Sequence, residues 1–228
     1  MGPTSLLSFL LAVSAAAQVH QGLIVGAVLA ADGRPVADAH VSAEVMHGSK
    51  ILTVLNTNTD DQGIFDFSRL ALGKYRIYAE KTEAGYLSTQ PNIFASNPAL
   101  EVTLTPEKSM ATTIIHFGPK AASITGWVKD SATGGSVAAH LSLAPTSGAG
   151  WSTTGTDGQF KFQLLIPADT PINFGACAEG YKPWSYADAS NPSRPIPLQL
   201  RPGAALKVDI QLQRNWENPE SLCVSGKY

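Results

Sequence analysis

The chain of 228 residues is poor in charge and in cysteine. Charged residues make up 15% of it, its formal net charge is −2, and no two basic residues are adjacent. Nucleic-acid backbones require a clustered positive surface, so the composition excludes a nucleic-acid partner. The two cysteines, Cys177 and Cys223, form no CxxC pair, so no zinc site is expected.

Long hydrophobic runs are also scarce. No stretch reaches the roughly 18 consecutive apolar residues of a membrane span, so the mature chain should not cross a membrane. A shorter apolar run, Leu6–Val13, precedes Ala15-Ala16-Ala17, the small-residue pattern of a cleavage site, although this leader lacks Lys and Arg. We therefore predict a signal peptide over residues 1–17 and a secreted, periplasmic or extracellular mature protein. The alternative is an uncleaved apolar N-terminus.

Helical periodicity is missing too, and an internal repeat is found instead. The segments "GAVLAADGRPVADAHVSA" and "GWVKDSATGGSVAAHLSL" align without a gap, and the four letters ASNP occur twice. The alignment equates these residues of the two halves: Gly26 and Gly126, His40 and His140, Phe65 and Phe160, Phe67 and Phe162, Gly85 and Gly180, Tyr86 and Tyr181.

Each copy has the pattern of an all-β sandwich, with short alternating apolar runs between Gly, Asp, Asn and Pro residues. We predict about seven strands per copy. The copies occupy residues 18–119 and 120–214, and residues 215–228 form a C-terminal tail. Pro119-Lys120 leaves no room for a flexible linker, so the pair should be semi-rigid.

The first copy resembles a known family. Its order of motifs is Gly-x-Val from Gly26, Gly-x-Phe-x-Phe from Gly63, Leu-x-x-Gly-x-Tyr from Leu70, and Gly85-Tyr86. This order resembles the carboxypeptidase regulatory-like domain. The resemblance implies a transthyretin-like (prealbumin-like), Ig-like β-sandwich of seven strands, grouped with carbohydrate-binding-like folds. The second copy departs from the pattern at Ser136, where the first copy has Pro35.

The chain offers no recognisable catalytic or metal-binding motif. His40 and His140 should point outward, and neither Gly-x-Ser-x-Gly nor His-Glu-x-x-His occurs. In "NTNTDDQG" the sixth position of a calcium loop is Asp61 rather than Gly, which favours a hairpin turn. Enzymes of related fold end in Tyr-Arg-Gly-Ser or bind iron with a His-x-His pair, and this chain has neither. We expect no enzyme activity, no metal and no cofactor; an unrecognised hydrolase is the alternative.

An aromatic loop is the one candidate binding site. It contains Tyr181, Trp184 and Tyr186, and Trp151 could join it. Aromatic faces with polar neighbours are suited to sugar rings, but a loop Trp can equally cover the core of a sandwich. The sequence thus indicates an exported, non-catalytic accessory module. Its partner would be a polysaccharide or an envelope protein, and a purely structural spacer is the alternative.

The cysteines suggest a disulfide. Alternation puts Ile172, Phe174, Ala176 and Ala178 on the inward face, so Cys177 should face outward. In an oxidising compartment its intramolecular partner would be Cys223, and the bond would hold the tail against the second sandwich. The alternative is two free thiols and a disordered tail.

Overall fold

The computed structural model describes residues 21–91, 99–147, 152–156, 161–188 and 191–215, and every structural statement below concerns these residues. They form an all-β protein in which the one helical element is a 3-10 turn, Thr82–Ala84. No described helix has the length and apolarity needed to cross a bilayer. The buried residues form two separate clusters, one in each copy of the repeat, so the fold is two consecutive β-sandwiches as predicted.

The first unit has the seven strands expected of it. They are β1 (Gly22–Leu29), β2 (His40–His47), β3 (Lys50–Asn58), β4 (Ile64–Leu70), β5 (Gly73–Glu80), β6 (Leu100–Leu104) and β7 (Met110–His116). One sheet has the order β4-β1-β7 and the other β3-β2-β5-β6. All these pairings are antiparallel except that of β1 with β7.

Alternation explains why these residues form a two-layer core. Along β1 the buried positions alternate with half-buried ones, so Ile24, Gly26 and Val28 face the second sheet. Gly26 has to be a glycine, because a β-carbon there would overlap Cζ of the Phe65 ring and lie 2.8 Å from the carbonyl oxygen of Thr113. The Gly-x-Val motif is therefore a packing requirement of the sandwich.

The second unit divides the same framework into eleven shorter strands. They are β8 (Ala122–Gly126), β9 (Val128–Asp130), β10 (Ala139–Pro145), β11 (Ser152–Thr156), β12 (Phe162–Ile166), β13 (Ile172–Cys177), β14 (Trp184–Ser185), β15 (Ala187–Asp188), β16 (Asn191–Pro195), β17 (Ala205–Lys207) and β18 (Ile210–Leu212). Their sheets are β12-β8-β17, β18-β9, β11-β10-β13-β14 and β15-β16. The counterpart of β1 is split at Trp127, and β15 and β16 form a hairpin that follows the edge strand β14.

The register of the repeat differs from the sequence alignment by two residues. Gly26 lies opposite Phe65, and Gly126 lies opposite Phe162. Phe162 is therefore the counterpart of Phe65, whereas the alignment equates it with Phe67. A two-residue slip leaves every side chain on the same face of the strand, so alternation alone could not reveal it. Phe160 lies outside the described residues.

Candidate functional site

The structure brings Tyr181, Trp184 and Tyr186 to one edge of the second core, where all three are half-buried. β14 pairs with β13, with Trp184 opposite Ala176. The ring centroids of Trp184 and Phe174 are 5.5 Å apart and their planes meet at 79°. The Tyr186 amide donates to the carbonyl oxygen of Phe174 at 2.8 Å. Trp184 thus covers part of the core. Trp151, the fourth candidate, lies outside the described residues.

Tyr181 is part of a polar cluster around a buried carboxylate, Asp130, that the sequence did not reveal. Its hydroxyl donates to Asp130 Oδ2 at 2.9 Å, and Arg214 Nε donates to the same oxygen at 2.8 Å. The amides of Ala132 and Thr133 donate to Asp130 Oδ1 at 2.9 and 3.0 Å. The guanidinium of Arg214 also lies over the Tyr181 ring, 5.4 Å from its centroid. We name Asp130, Tyr181 and Arg214 the carboxylate cluster.

These contacts shift the protonation of both acidic groups. Hydrogen bonds, first from the Thr133 amide and then from the Tyr181 hydroxyl, hold the pKa of Asp130 well below its usual range. Burial, and then the bond to Asp130, raise the pKa of Tyr181. At neutral pH the Asp130 carboxylate is therefore ionised and the Tyr181 phenol is protonated, so the phenol can donate its proton in a hydrogen bond to the carboxylate. The cluster fastens β9 to the chain that leaves the second unit.

The Gly-Tyr pair of each unit holds the departing chain in the same way. Gly85 accepts a hydrogen bond from the Ala121 amide at 2.8 Å, and Gly180 accepts one from the Asn215 amide at 2.8 Å. Both glycines have a left-handed backbone, with φ of 82° and 76°, which glycine adopts without strain. We name this arrangement the exit clamp. The sequence contains its motif, but nothing in the motif discloses its role.

In the first unit the exit clamp also fixes the joint to the second. The rings of Tyr86 and Phe117 stack with centroids 4.8 Å apart and an interplanar angle of 11°. Lys120 Nζ lies 5.8 Å from the centroid of Tyr86. From the other side, the Gly203 amide donates to the carbonyl oxygen of Lys120 at 3.3 Å. Both units therefore bind the short segment that joins them.

A second buried polar group lies on the outer face of the sheet β3-β2-β5-β6. The side chain of Glu44 is 4% exposed, and Arg76 Nη1 lies 3.6 Å from its Oε2. Gln90 Nε2 donates to Glu44 Oε1 at 3.3 Å. Within the described chain, Glu44 Oε2 and Arg76 Nε are buried without a hydrogen bond. Glu44 does not stand out in the sequence, because alternation along β2 places it on the outward face, where a charge is ordinarily solvated.

The histidines and the possible calcium loop occupy ordinary positions. His40 is half-buried and lies 3.3 Å from Asn58 Oδ1, and His140 is exposed, so both are on the outward face as predicted. Asp60 Oδ1 accepts bonds from the amides of Gln62 and Ile64, so the segment is a turn as the sequence indicated, but it joins β3 of one sheet to β4 of the other and is not a hairpin. Across the described ranges, no three His, Cys, Asp or Glu side chains lie together in a way that could hold a metal ion.

Cys177 differs from expectation in its exposure. Ile172, Phe174, Ala176 and Ala178 are buried as predicted, but Cys177 on the opposite face is only 6% exposed. In the structure Cys177 is disulfide-bonded. Its predicted partner, Cys223, lies outside the described residues, so their pairing stays a prediction.

Comparison with known proteins agrees with the fold of the first unit. Residues 24–111 match the family model of the carboxypeptidase regulatory-like domain. The first unit is therefore similar to the carboxypeptidase regulatory-like domain. The match runs from β1 into β7 and so spans most of the first sandwich and its core. No curated protein matches the chain.

Several solved structures have a similar fold at low identity. A streptococcal ancillary pilin is 13% identical with a TM-score of 0.40, and the match covers 87% of this chain and 64% of that one. The Bacillus anthracis TIE protein is 14% identical with a TM-score of 0.35, covering 85% of this chain and 34% of that one. A DUF3823 family protein from Bacteroides uniformis is 9% identical with a TM-score of 0.35, covering 80% and 100%. At these TM-scores, all below 0.5, the likeness carries no argument about this chain.

Proposed function

We propose that the mature chain is an exported, non-catalytic accessory module that makes a protein contact at the cell envelope. The observation that carries this proposal is the joint between the units. Gly85 and Tyr86 hold the joining segment from one side and Gly203 from the other. Two sandwiches fixed in this way can present their surfaces to a partner at a constant distance and angle.

The contacts of the two buried carboxylates, Asp130 and Glu44, support a non-catalytic role. Asp130 accepts hydrogen bonds from Tyr181, Arg214 and two backbone amides, so its lone pairs are engaged within the protein. Glu44 is buried against Arg76. A catalytic acid or base has to exchange protons with a substrate, whereas these groups hold strands together.

Two observations test export: the compartment in which the protein is found and the first residue of the mature chain. Full-length chain expressed in its source cells should be recovered outside the cytoplasm with Gln18 as its first residue, as shown by N-terminal sequencing. Leu10→Arg interrupts the apolar run of the leader and is the matched control, which should stay inside the cell. A wild-type chain that remains in the cytoplasm with residues 1–17 attached would overturn the proposal.

The contact role is tested through the joint. In-cell cross-linking should connect the wild-type chain to the same envelope protein in repeated experiments. Tyr86→Ala removes the stack on Phe117 and should let the units reorient, which small-angle scattering would record as a wider distribution of interatomic distances. Tyr86→Phe keeps the stacking ring and should behave as wild type. If the Ala variant scatters like wild type, Tyr86 does not fix the joint.

Carbohydrate binding is the second candidate, and the half-exposed rings of Trp184 and Tyr186 beside the hairpin β15–β16 favour it. Aromatic faces of this kind are suited to stacking on sugar rings. Polysaccharide pull-down with wild type, Tyr186→Ala and Trp184→Phe tests it. Retention that Tyr186→Ala abolishes and Trp184→Phe weakens would support a sugar site. No retention of the wild type would leave the protein contact as the function.

A further inference from the structure

We infer that two copies of this chain associate by pairing β3 with β3 in the antiparallel direction. The inference rests on the proposed contact role and names one partner for it, a second copy of the same chain. It is carried by the length and exposure of β3, by its contrast with the second unit, and by the charges at its two ends.

β3 is a long edge strand with apolar side chains in solvent. It has nine residues and is bonded on one side to β2, at the end of its sheet. Ile51, Leu52 and Val54 are 49%, 65% and 42% exposed. The free side of an edge strand presents backbone amides and carbonyls to any chain that can add a strand, so natural edges are usually short, charged or interrupted by proline. β3 contains no proline and one charged residue, Lys50.

The second unit shows that the fold does not require this edge. Its equivalent edge strand, β11, lies beside β10 as β3 lies beside β2. β11 has five residues with the sequence STTGT and therefore no large apolar side chain. The same position of the same fold is thus short and polar in one unit and long and apolar in the other. A surface contact that only the first unit makes accounts for the difference.

The charges at the ends of β3 favour a second copy in the antiparallel direction. Lys50 stands at the beginning of the strand, and Asp60 and Asp61 follow its end, all three exposed. Antiparallel pairing centred on Leu55 brings the Lys50 end of β3 in each copy to the Asp60–Asp61 end of the other. Opposite charges that face each other across a strand pair attract, and like charges repel. Parallel pairing would instead place the two Lys50 side chains together.

A β-bulge limits the extent of the pairing. The register of β2 with β3 shifts between Val45 and Met46, where Thr53 and then Ile51 are the partners, so Leu52 is the extra residue. A bulge interrupts the regular ladder and bends the strand. The regular part of β3 therefore runs from Thr53 to Asn58. Pairing centred on Leu55 lies within this regular part.

Sedimentation equilibrium of the mature chain over about 1–100 µM tests the inference, because a micromolar dissociation constant is measurable in that range. Twice the chain mass is expected at the upper concentrations. Val54→Lys should weaken association at least about tenfold, because it buries a charge at the centre of the contact. Ile114→Lys is the matched control: Ile114 is also exposed, on β7 of the opposite sheet, and its replacement should leave the association unchanged.

Charge reversal tests the direction of pairing. Lys50→Glu and Asp61→Lys should each weaken association, and the double variant should associate more tightly than either single variant because charges of opposite sign again lie at the two meeting ends. Asp61 is chosen because Asp60 holds the turn between β3 and β4 through the amides of Gln62 and Ile64. Thermal midpoints equal to wild type would show that the variants remain folded.

The results separate this inference from the proposed function. A chain that is monomeric at the highest concentration overturns the inference, and so does a dimer that persists in Val54→Lys. A double charge reversal that associates no more tightly than the single variants overturns the antiparallel register. A monomer found at the envelope leaves the proposed function standing, whereas a dimer that stays in the cytoplasm contradicts that function and not the pairing.

Discussion

Gly26 and Gly126 occupy the same place in the two units, because a ring of the facing strand fills the space where a side chain would lie. At Gly126 a β-carbon would also overlap the backbone of Val208 and would come to 3.0 Å from Cζ of Phe162. Backbone cannot move aside as the end of a long side chain can. These two glycines are therefore dictated by packing between strands rather than by turn geometry.

Gly126→Ala should destabilise the second unit by about 1–3 kcal/mol, the usual range for overpacking a core. Gly118→Ala is the control, since no atom lies within 4 Å of the β-carbon that it would add. We expect its effect on the free energy of unfolding to stay within about 0.5 kcal/mol. Urea denaturation followed by tryptophan fluorescence measures both, and equal midpoints for the two variants would contradict the packing argument.

Asp130 should make the stability of the second unit depend on pH in the acidic range. Its pKa is lowered in the folded protein, so the stability it contributes is complete above the unfolded pKa of about 3.9 and is lost as the pH falls below that value. Between pH 6 and pH 3 the wild type should therefore lose more stability than Asp130→Asn. Asp66→Asn, at an exposed position of the first unit, should follow the wild-type curve. Parallel curves for wild type and Asp130→Asn would refute this role.

At the scale of single residues, the inward or outward direction of a side chain was predictable where it follows from alternation along a strand. The inward positions of Phe174 and Ala176 and the outward position of His140 are confirmed, because a strand has a period of two. The burial of Cys177 and Glu44 was not predictable, because alternation places both on the outward face of their strands. The carboxylate cluster was missed because Asp130 and Arg214 are 84 positions apart.

At the scale of elements, long alternating runs predicted strands and short ones did not. β1, β4 and β5 have seven or eight residues each, enough for alternation to be visible. β14 and β15 have two residues each, and a pair of residues carries no period. The aromatic loop was consequently recognised by its composition, while the short edge strand within it was not.

That edge strand predicts a role for Trp184 in stability. Trp184→Ala should lower the free energy of unfolding of the second unit by about 2 kcal/mol, less than the 3–5 kcal/mol typical of fully buried aromatic residues, because the ring is half-buried. Trp184→Phe keeps the edge-on contact with Phe174 and should lose under about 1 kcal/mol. Calorimetry of the two variants provides the measurement. If both unfold at the wild-type temperature, the ring does not support the core.

For the whole molecule, the repeat predicted two sandwiches, and the absence of a linker predicts a semi-rigid pair, which stays a prediction. The exit clamp between Gly85 and Ala121 favours such a pair, and a pattern within one unit could not have predicted that contact. The second clamp acts on Asn215 in the same way, through the carbonyl oxygen of Gly180.

The last prediction concerns that tail. A bond between Cys177 and Cys223 would close a loop of about 46 residues, which stabilises by about 4 kcal/mol in the chain-entropy model. The denatured, non-reduced protein should therefore show no reactive thiol, and reduction should lower its unfolding temperature. Mass spectrometry of a non-reduced digest should yield the two cysteine peptides joined. A disulfide between two chains would produce the same joined peptides. The measurement is therefore repeated at a concentration too low for chains to pair through β3, where a bond within one chain should persist. Two reactive thiols in the non-reduced protein would rule the bridge out.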